Sequence, residues 1–266
     1  MAKGKARTKL LDHSASLVEG SAAGVSWEFL YQASLVKHPG YNLGDRVALP
    51  DGRVFRYAKS STAINPDLGC GFAEDEVQGY EALKVAQVAG DKEVVFTGAA
   101  HAALDEDELR GGYVIIFHDG GLGDTQFRGI VGNPASALNA EITVYLDASL
   151  DHEVIAGTTA AELFYNPYAN LRQGVANATE SKAGKAAVHV DAANMYFWVQ
   201  TWGPCWLAPQ AAGFQAANKQ RQAVFSNDGS IQAEGAVDAF DLTQNAGFLI
   251  NEGFSAGPLF MLQVSP

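Results

Sequence analysis

The chain has 266 residues, of which 47% are hydrophobic and 18% are charged. This composition supplies enough apolar surface for a buried core, and together with the low charge density it excludes bulk disorder and a coiled coil. The formal net charge is -12, and no apolar run approaches the roughly 18 residues that a membrane-spanning helix needs. Composition therefore predicts a soluble, acidic globular protein with no membrane partner.

The chain begins with a basic arm. Its four cations are Lys3, Lys5, Arg7 and Lys9. Residues 10–266 then carry 14 basic and 30 acidic side chains, a net charge of -16. An arm of this kind suits an acidic surface on a partner protein, whereas the acidic body repels nucleic acid. We assign residues 1–24 to the arm, with a short helix compatible with residues 10–24, and residues 25–266 to the body.

No apolar stretch follows the charged start, so no secretory signal is predicted and synthesis in the cytosol is expected. Cys70 and Cys205 belong to no Cys-x-x-Cys pair. We interpret both as buried small apolar residues, as expected in a reducing compartment.

Short β-prone runs separated by turn residues dominate the body. Two hairpins are predicted around Pro50-Asp51-Gly52 and Asn227-Asp228-Gly229, since proline presets one turn residue and glycine accepts a positive φ. Further strands are predicted at 93–97, 112–117, 126–131, 141–146, 162–165, 187–190, 196–202, 247–250 and 259–264.

Helical signals are weak by comparison. Residues 73–89 have apolar spacing that fits a helix only in part, and Gly79 interrupts it. The pattern predicts a mainly β fold, with a β-sandwich or barrel-like body of many short antiparallel strands and little helix. Two division points inside the body are weakly marked, near Asp91 and near Leu150.

Three tryptophans occur in the segment 196–206, at Trp198, Trp202 and Trp206. Apolar residues occur at both alternating sets of positions, which predicts a central strand packed on both faces. We assign the three rings to the core or to a self-association surface. A ligand shelf formed by these rings is the less favoured interpretation.

One motif resembles a catalytic site. Gly253-Phe-Ser-Ala-Gly257 matches the nucleophile elbow G-x-S-x-G and would make Ser255 a nucleophile. The hydrolase fold needs an acid and a histidine later in the chain, and residues 258–266 contain neither. We therefore predict no enzyme, no catalytic residues, no cofactor and no metal site, and keep a hydrolase using Ser255 as an alternative.

From residue 111 onward the chain resembles virion structural proteins of tailed bacteriophages, of the head decoration or cement type. The segments that carry the resemblance are GGYVII (111–116), FRGIVGNP (127–134), ITVYLD (142–147), NPY (166–168) and FWVQTWGPC (197–205). The resemblance implies a β-rich module without catalytic residues that binds the lattice of the major capsid protein, as a trimer or dimer on the outer surface of the virion.

This resemblance and the composition together predict a capsid cement protein. It would stabilise the head against internal DNA pressure, with its four arm cations latched onto acidic capsid surface. A second alternative is a tail or host-attachment module that binds glycan through exposed aromatic rings such as Trp202 or Trp206.

Overall fold

The computed structural model describes residues 17–19, 26–73, 76–98, 100–118, 125–173, 180–210, 221–234, 244–251 and 257–266. The prediction of a mainly β fold is confirmed. The arm cations and Ser255 lie outside the described residues. Within the described part of the chain, no helix has the length and apolar character needed to cross a membrane.

The strands follow one another closely along the chain. In order they are β1 (Leu17–Glu19), β2 (Arg46–Ala48), β3 (Val54–Lys59), β4 (Gly69–Gly71), β5 (Glu76–Ala82), β6 (Glu93–Phe96), β7 (Tyr113–Phe117), β8 (Gln126–Gly132), β9 (Ile142–Leu146), β10 (Ala160–Phe164), β11 (Arg172–Gln173), β12 (Lys182–Ala186), β13 (Tyr196–Trp206), β14 (Gln222–Phe225), β15 (Ile231–Ala233), β16 (Asn245–Asn251) and β17 (Leu259–Gln263). One helical turn, α1 (Trp27–Leu30), begins at Ser26, whose hydroxyl accepts a hydrogen bond from the backbone N–H of Phe29.

The chain forms two compact units, one inserted in the other. Unit 1 comprises residues 1–73 and 168–266, and unit 2 comprises residues 74–167. Asp91 and Leu150, the two weakly marked division points, both lie inside unit 2, where the Leu150 N–H donates to the Asp91 carbonyl at 2.8 Å. Insertion leaves unit 1 with strands from both ends of the sequence.

Unit 2 is an antiparallel six-stranded sheet in the order β5-β10-β7-β8-β9-β6. An isolated bridge joins Leu83, just after β5, to Phe96 at the end of β6, so the sheet curls into a nearly closed barrel. Alternate side chains of each strand point inward, as the pleat requires. The fully buried interior includes Phe96, Val114, Ile116 and Val144.

The described residues of unit 1 form an eleven-stranded sheet with the order β1-β2-β3-β13-β17-β16-β14-β15 along its main path. Strands β4, β11 and β12 lie off this path, with β12 pairing with both β13 and β4. Three groups of buried apolar residues pack against the sheet. Strand β13 contributes to each of them through Trp198, Phe197 and Cys205 respectively.

A one-residue bulge divides β13 into two halves. Gln200 pairs with Phe55, but Trp202 pairs with the next residue of β3, Val54, so Thr201 is an extra residue. Consecutive residues of a strand point to opposite faces, so the bulge places Trp202 on the face opposite to Phe55. Without the bulge, Trp202 would lie on the same face as Gln200 and Phe55.

The Gln200 side chain holds this bulge. It is buried, and its amide nitrogen donates to the carbonyl oxygens of Trp202, Gly203 and Pro204 at 3.1, 3.4 and 3.0 Å. Gly203 has a φ of +96°, and a Cβ on it would lie 2.7 Å from the Gly52 carbonyl oxygen, so only glycine fits there.

Both predicted hairpins are confirmed, since β2 pairs with β3 and β14 with β15 across the expected turns. One strand prediction was wrong, and two segments with weak helical signals contain strands. Residues 76–82 of the partly helical run form β5, whose strand pairing with β10 overrides the weak helical spacing. The strand expected at 187–190 lies at β12 instead, and residues 17–19 of the region compatible with a helix form β1.

We predict that Gln200→Leu lowers the free energy of unfolding by about 1–3 kcal/mol, since buried backbone carbonyls lose their donor. Urea unfolding monitored by circular dichroism measures this loss. Gln222→Leu, at an exposed position of β14, is the matched control and should change stability by less than about 0.5 kcal/mol. Equal losses in the two variants would contradict a specific role for Gln200.

Candidate functional site

Two histidines and their neighbours form a polar network in unit 2. His118 Nε2 contacts the amide nitrogen of Gln126, and the rings of His118 and His152 lie 5.5 Å apart. Gln126 Oε1 accepts from the Asp151 N–H at 2.7 Å, and Arg128 pairs with the Asp151 carboxylate at 2.6 Å. The network fastens β8 to the segment that follows β9. Among the described residues, no three or more His, Cys, Asp or Glu side chains are grouped to hold a metal ion.

A buried ionic cluster lies beside β12 in unit 1. Lys182 and Glu180 are fully buried, and Glu180 pairs with Arg172. Lys182 Nζ donates to the Asn227 carbonyl oxygen at 2.8 Å, which ties β12 to the turn between β14 and β15. Burial lowers the pKa of Lys182, while the Glu180 carboxylate opposes this shift by favouring the charged form. Sequence reasoning missed this cluster, because burial of the two side chains depends on strands distant along the chain.

Both cysteines are buried free thiols, in line with their sequence interpretation. Burial raises the pKa of Cys70 and of Cys205 to about 12. Nearby Lys185 favours the thiolate of either residue, but its effect is smaller than that of burial. The thiolate is the nucleophilic form of cysteine, so both side chains are unreactive near neutral pH.

We therefore expect neither cysteine of the folded protein to react with Ellman's reagent at pH 8. In guanidinium chloride two thiols per chain should react, since unfolding exposes them and restores an ordinary pKa. The absorbance at 412 nm reports both measurements. Rapid release of the chromophore by the folded protein would contradict the buried placement.

An apolar surface crosses three strands of unit 1, and we call it the apolar ladder. Directly paired residues of antiparallel strands share a face, and the pairs are Trp206 with Leu259, Pro204 with Met261, and Met261 with Phe248. Phe248 and Leu259 are each 43% exposed, although they belong to apolar strands. Trp202 begins the same face on β13 and pairs with Gln263.

The bulge separates Trp198 from the other two tryptophans of β13, Trp202 and Trp206. Trp198 is fully buried in the core, where its ring packs edge-on against Tyr41 at 5.3 Å. Trp202 and Trp206 are half-buried on the apolar ladder. Sequence reasoning did not identify Phe248 and Leu259 as surface residues, because strand composition alone does not show which face stays uncovered.

The outside of the barrel in unit 2 combines aromatic rings with carboxylates, and we call it the barrel outer face. Its exposed apolar residues are Tyr80, Tyr113, Phe127, Val131 and Tyr145. The rings of Tyr113 and Phe127 stack with centroids 5.0 Å apart. Glu93 is directly opposite Tyr145, and Glu162 is opposite Ile115, whose side chain also points outward.

Unit 1 also contains a groove of about 320 Å³. Its lining includes Phe29, Lys37, His38, Tyr57 and Tyr196. The Tyr57 hydroxyl accepts from the His38 N–H at 3.1 Å, and the Tyr57 and Tyr196 rings stack 6.0 Å apart. Tyr57 is buried, so its ring forms part of the wall of the groove and is covered by its neighbours.

Comparisons with protein-family models, with curated proteins and with solved structures found no match for this chain. The apolar ladder and the barrel outer face are therefore interpreted from their own chemistry. Each combines apolar side chains from at least three strands of one sheet.

Proposed function

We propose that the protein is a head decoration protein of a tailed bacteriophage, which binds the assembled lattice of the major capsid protein. The observation that carries the proposal is the apolar ladder. Contiguous exposed apolar patches on a folded protein mark sites where another macromolecule binds. A sheet face that carries Trp206, Phe248 and Leu259 fits a protein surface. The ordered segments that resemble decoration proteins support the major capsid protein as that partner.

The charge of unit 1 suits this contact. Its residues include 14 basic and 13 acidic side chains, a net charge of +1, so the unit that carries the ladder is close to neutral. A near-neutral unit experiences little long-range repulsion from a charged shell. The free energy of binding can then come from apolar burial, which contributes roughly 25 cal/mol per Å² of apolar surface removed from water.

Because the protein binds only the assembled lattice, its binding stabilises the capsid. A ligand specific for one state stabilises that state by RT ln(1 + [L]/Kd), about 2.7 kcal/mol per site at a hundredfold excess over Kd. The stabilisation repeats at every occupied site of the shell. Separation of capsid subunits by DNA pressure would then also require breaking the contacts of the decoration protein.

We predict that Phe248→Ser combined with Leu259→Ser weakens binding to purified undecorated heads at least tenfold, or about 1.4 kcal/mol, because both side chains lose apolar burial. Co-sedimentation with heads measures occupancy. Leu35→Ser is the control, since Leu35 is an exposed apolar residue of the same unit at 68% exposure and lies outside the ladder. Equal binding by the double variant and the wild type, or binding confined to tails, would contradict the proposal.

We also predict that deletion of residues 2–9 reduces retention on heads, and that this effect is larger at about 50 mM salt than at about 0.5 M, where exposed charges are screened. The deletion removes four cations and with them the ionic part of attachment. A variant in which the four cations are rearranged within residues 2–9 keeps the charge and is the control. Unchanged retention of the deletion variant would exclude a role of the arm in attachment.

A further inference from the structure

The net charge of this protein is concentrated in unit 2. Residues 74–167 contain 17 acidic and only 4 basic side chains, a net charge of -13. Unit 1 has a net charge of +1 with the arm included. The barrel is thus a strongly acidic module, and copies packed side by side at high density would repel each other through their barrels.

The cations of the arm follow a period of two. Basic residues occupy positions 3, 5, 7 and 9, and the residues between them are Gly4, Ala6 and Thr8. In an extended chain, every second side chain points to the same side, and successive ones are separated by about 7 Å. The arm can therefore present all four cations along one edge to a single surface.

The barrel outer face is complementary to such a row of cations. Glu93, Asp147 and Glu162 place carboxylates on strands or strand ends around it, with Asp147 lying directly against Gly129 of β8. The stacked rings of Tyr113 and Phe127 lie between them on β7 and β8. Carboxylates pair with lysine and arginine, and aromatic faces attract the same cations.

We infer that the basic arm of one copy binds the barrel outer face of a second copy. Sixteen residues precede β1, so the arm can reach about 55 Å when extended. Strand β1 pairs with β2, so the arm begins at the edge of the sheet of unit 1. The arm of one copy supplies the cations that the acidic barrel of its neighbour lacks.

This contact is heterologous, because the arm of one copy meets a different surface on the next. Contacts of this kind propagate from copy to copy and form rings or open chains. Repeated over a shell, they would connect decoration proteins laterally. Individual exposed ion pairs are weak and are screened by salt, so the link needs several pairs at once and weakens as salt rises.

The test is sedimentation velocity of the full-length protein at 50 and 500 mM NaCl over a range of concentrations. One variant replaces all four arm cations by glutamine, and a second carries Glu93→Gln, Asp147→Asn and Glu162→Gln. The control carries Asp105→Asn, Glu106→Gln and Glu153→Gln, which change the charge equally at exposed loop positions of the same unit.

We expect the wild type and the control to associate at 50 mM NaCl in a concentration-dependent manner and to dissociate at 500 mM. Each variant alone should associate at least tenfold more weakly. An equimolar mixture of the two variants should form one-to-one complexes, since one supplies an intact face and the other an intact arm.

Association that neither variant changes would overturn the inference. A loss of association in the loop control as large as in the variant of the barrel outer face would also overturn it. The same holds if the two variants fail to associate with each other, since the arm of one would then not bind the face of the other. The measurement contains no heads, so its outcome is independent of the proposed binding to the capsid.

Discussion

The surface chemistry of unit 1 depends on the bulge in β13 and on the side chain that holds it. Gln200 is buried and bonds to the three carbonyl groups that follow Thr201. A shift of one residue exchanges the two faces of a strand. The same strand therefore buries Trp198 in the core and, five residues after the bulge, presents Trp206 on the apolar ladder.

A second constraint is where the barrel is inserted. The chain leaves unit 1 after β4 and returns just before β11, and these two strands pair with each other, Gly71 opposite Arg172. Phe72 and Tyr168, at the two ends of the insertion, contact each other with ring centroids 5.8 Å apart. Insertion between paired strands leaves the sheet of unit 1 continuous, so unit 2 can have a different surface composition without disturbing the core of unit 1.

Sequence reasoning succeeded where the signal is local. The Pro50-Asp51-Gly52 and Asn227-Asp228-Gly229 turns fix their hairpins through backbone preferences of three residues. It failed where the conformation or the exposed face of a segment depends on pairing with a distant strand. Residues 76–82 become a strand because β10 pairs with them, and the face of Trp206 depends on a bulge that no local pattern marks. The apolar ladder combines three strands, so its exposed residues could not be found from any one segment.

The two surfaces differ in how they respond to solution conditions. Apolar contact persists when salt is raised and is strengthened by excluded salts such as sulfate, whereas ionic contact between an arm and an acidic face is screened within about 10 Å at 0.1 M salt and about 3 Å at 1 M. Raised salt therefore weakens every ionic contact of the arm, whereas an apolar contact of the ladder persists independently of it. The separation of a near-neutral unit from an acidic one within a single chain is the physical basis of that independence.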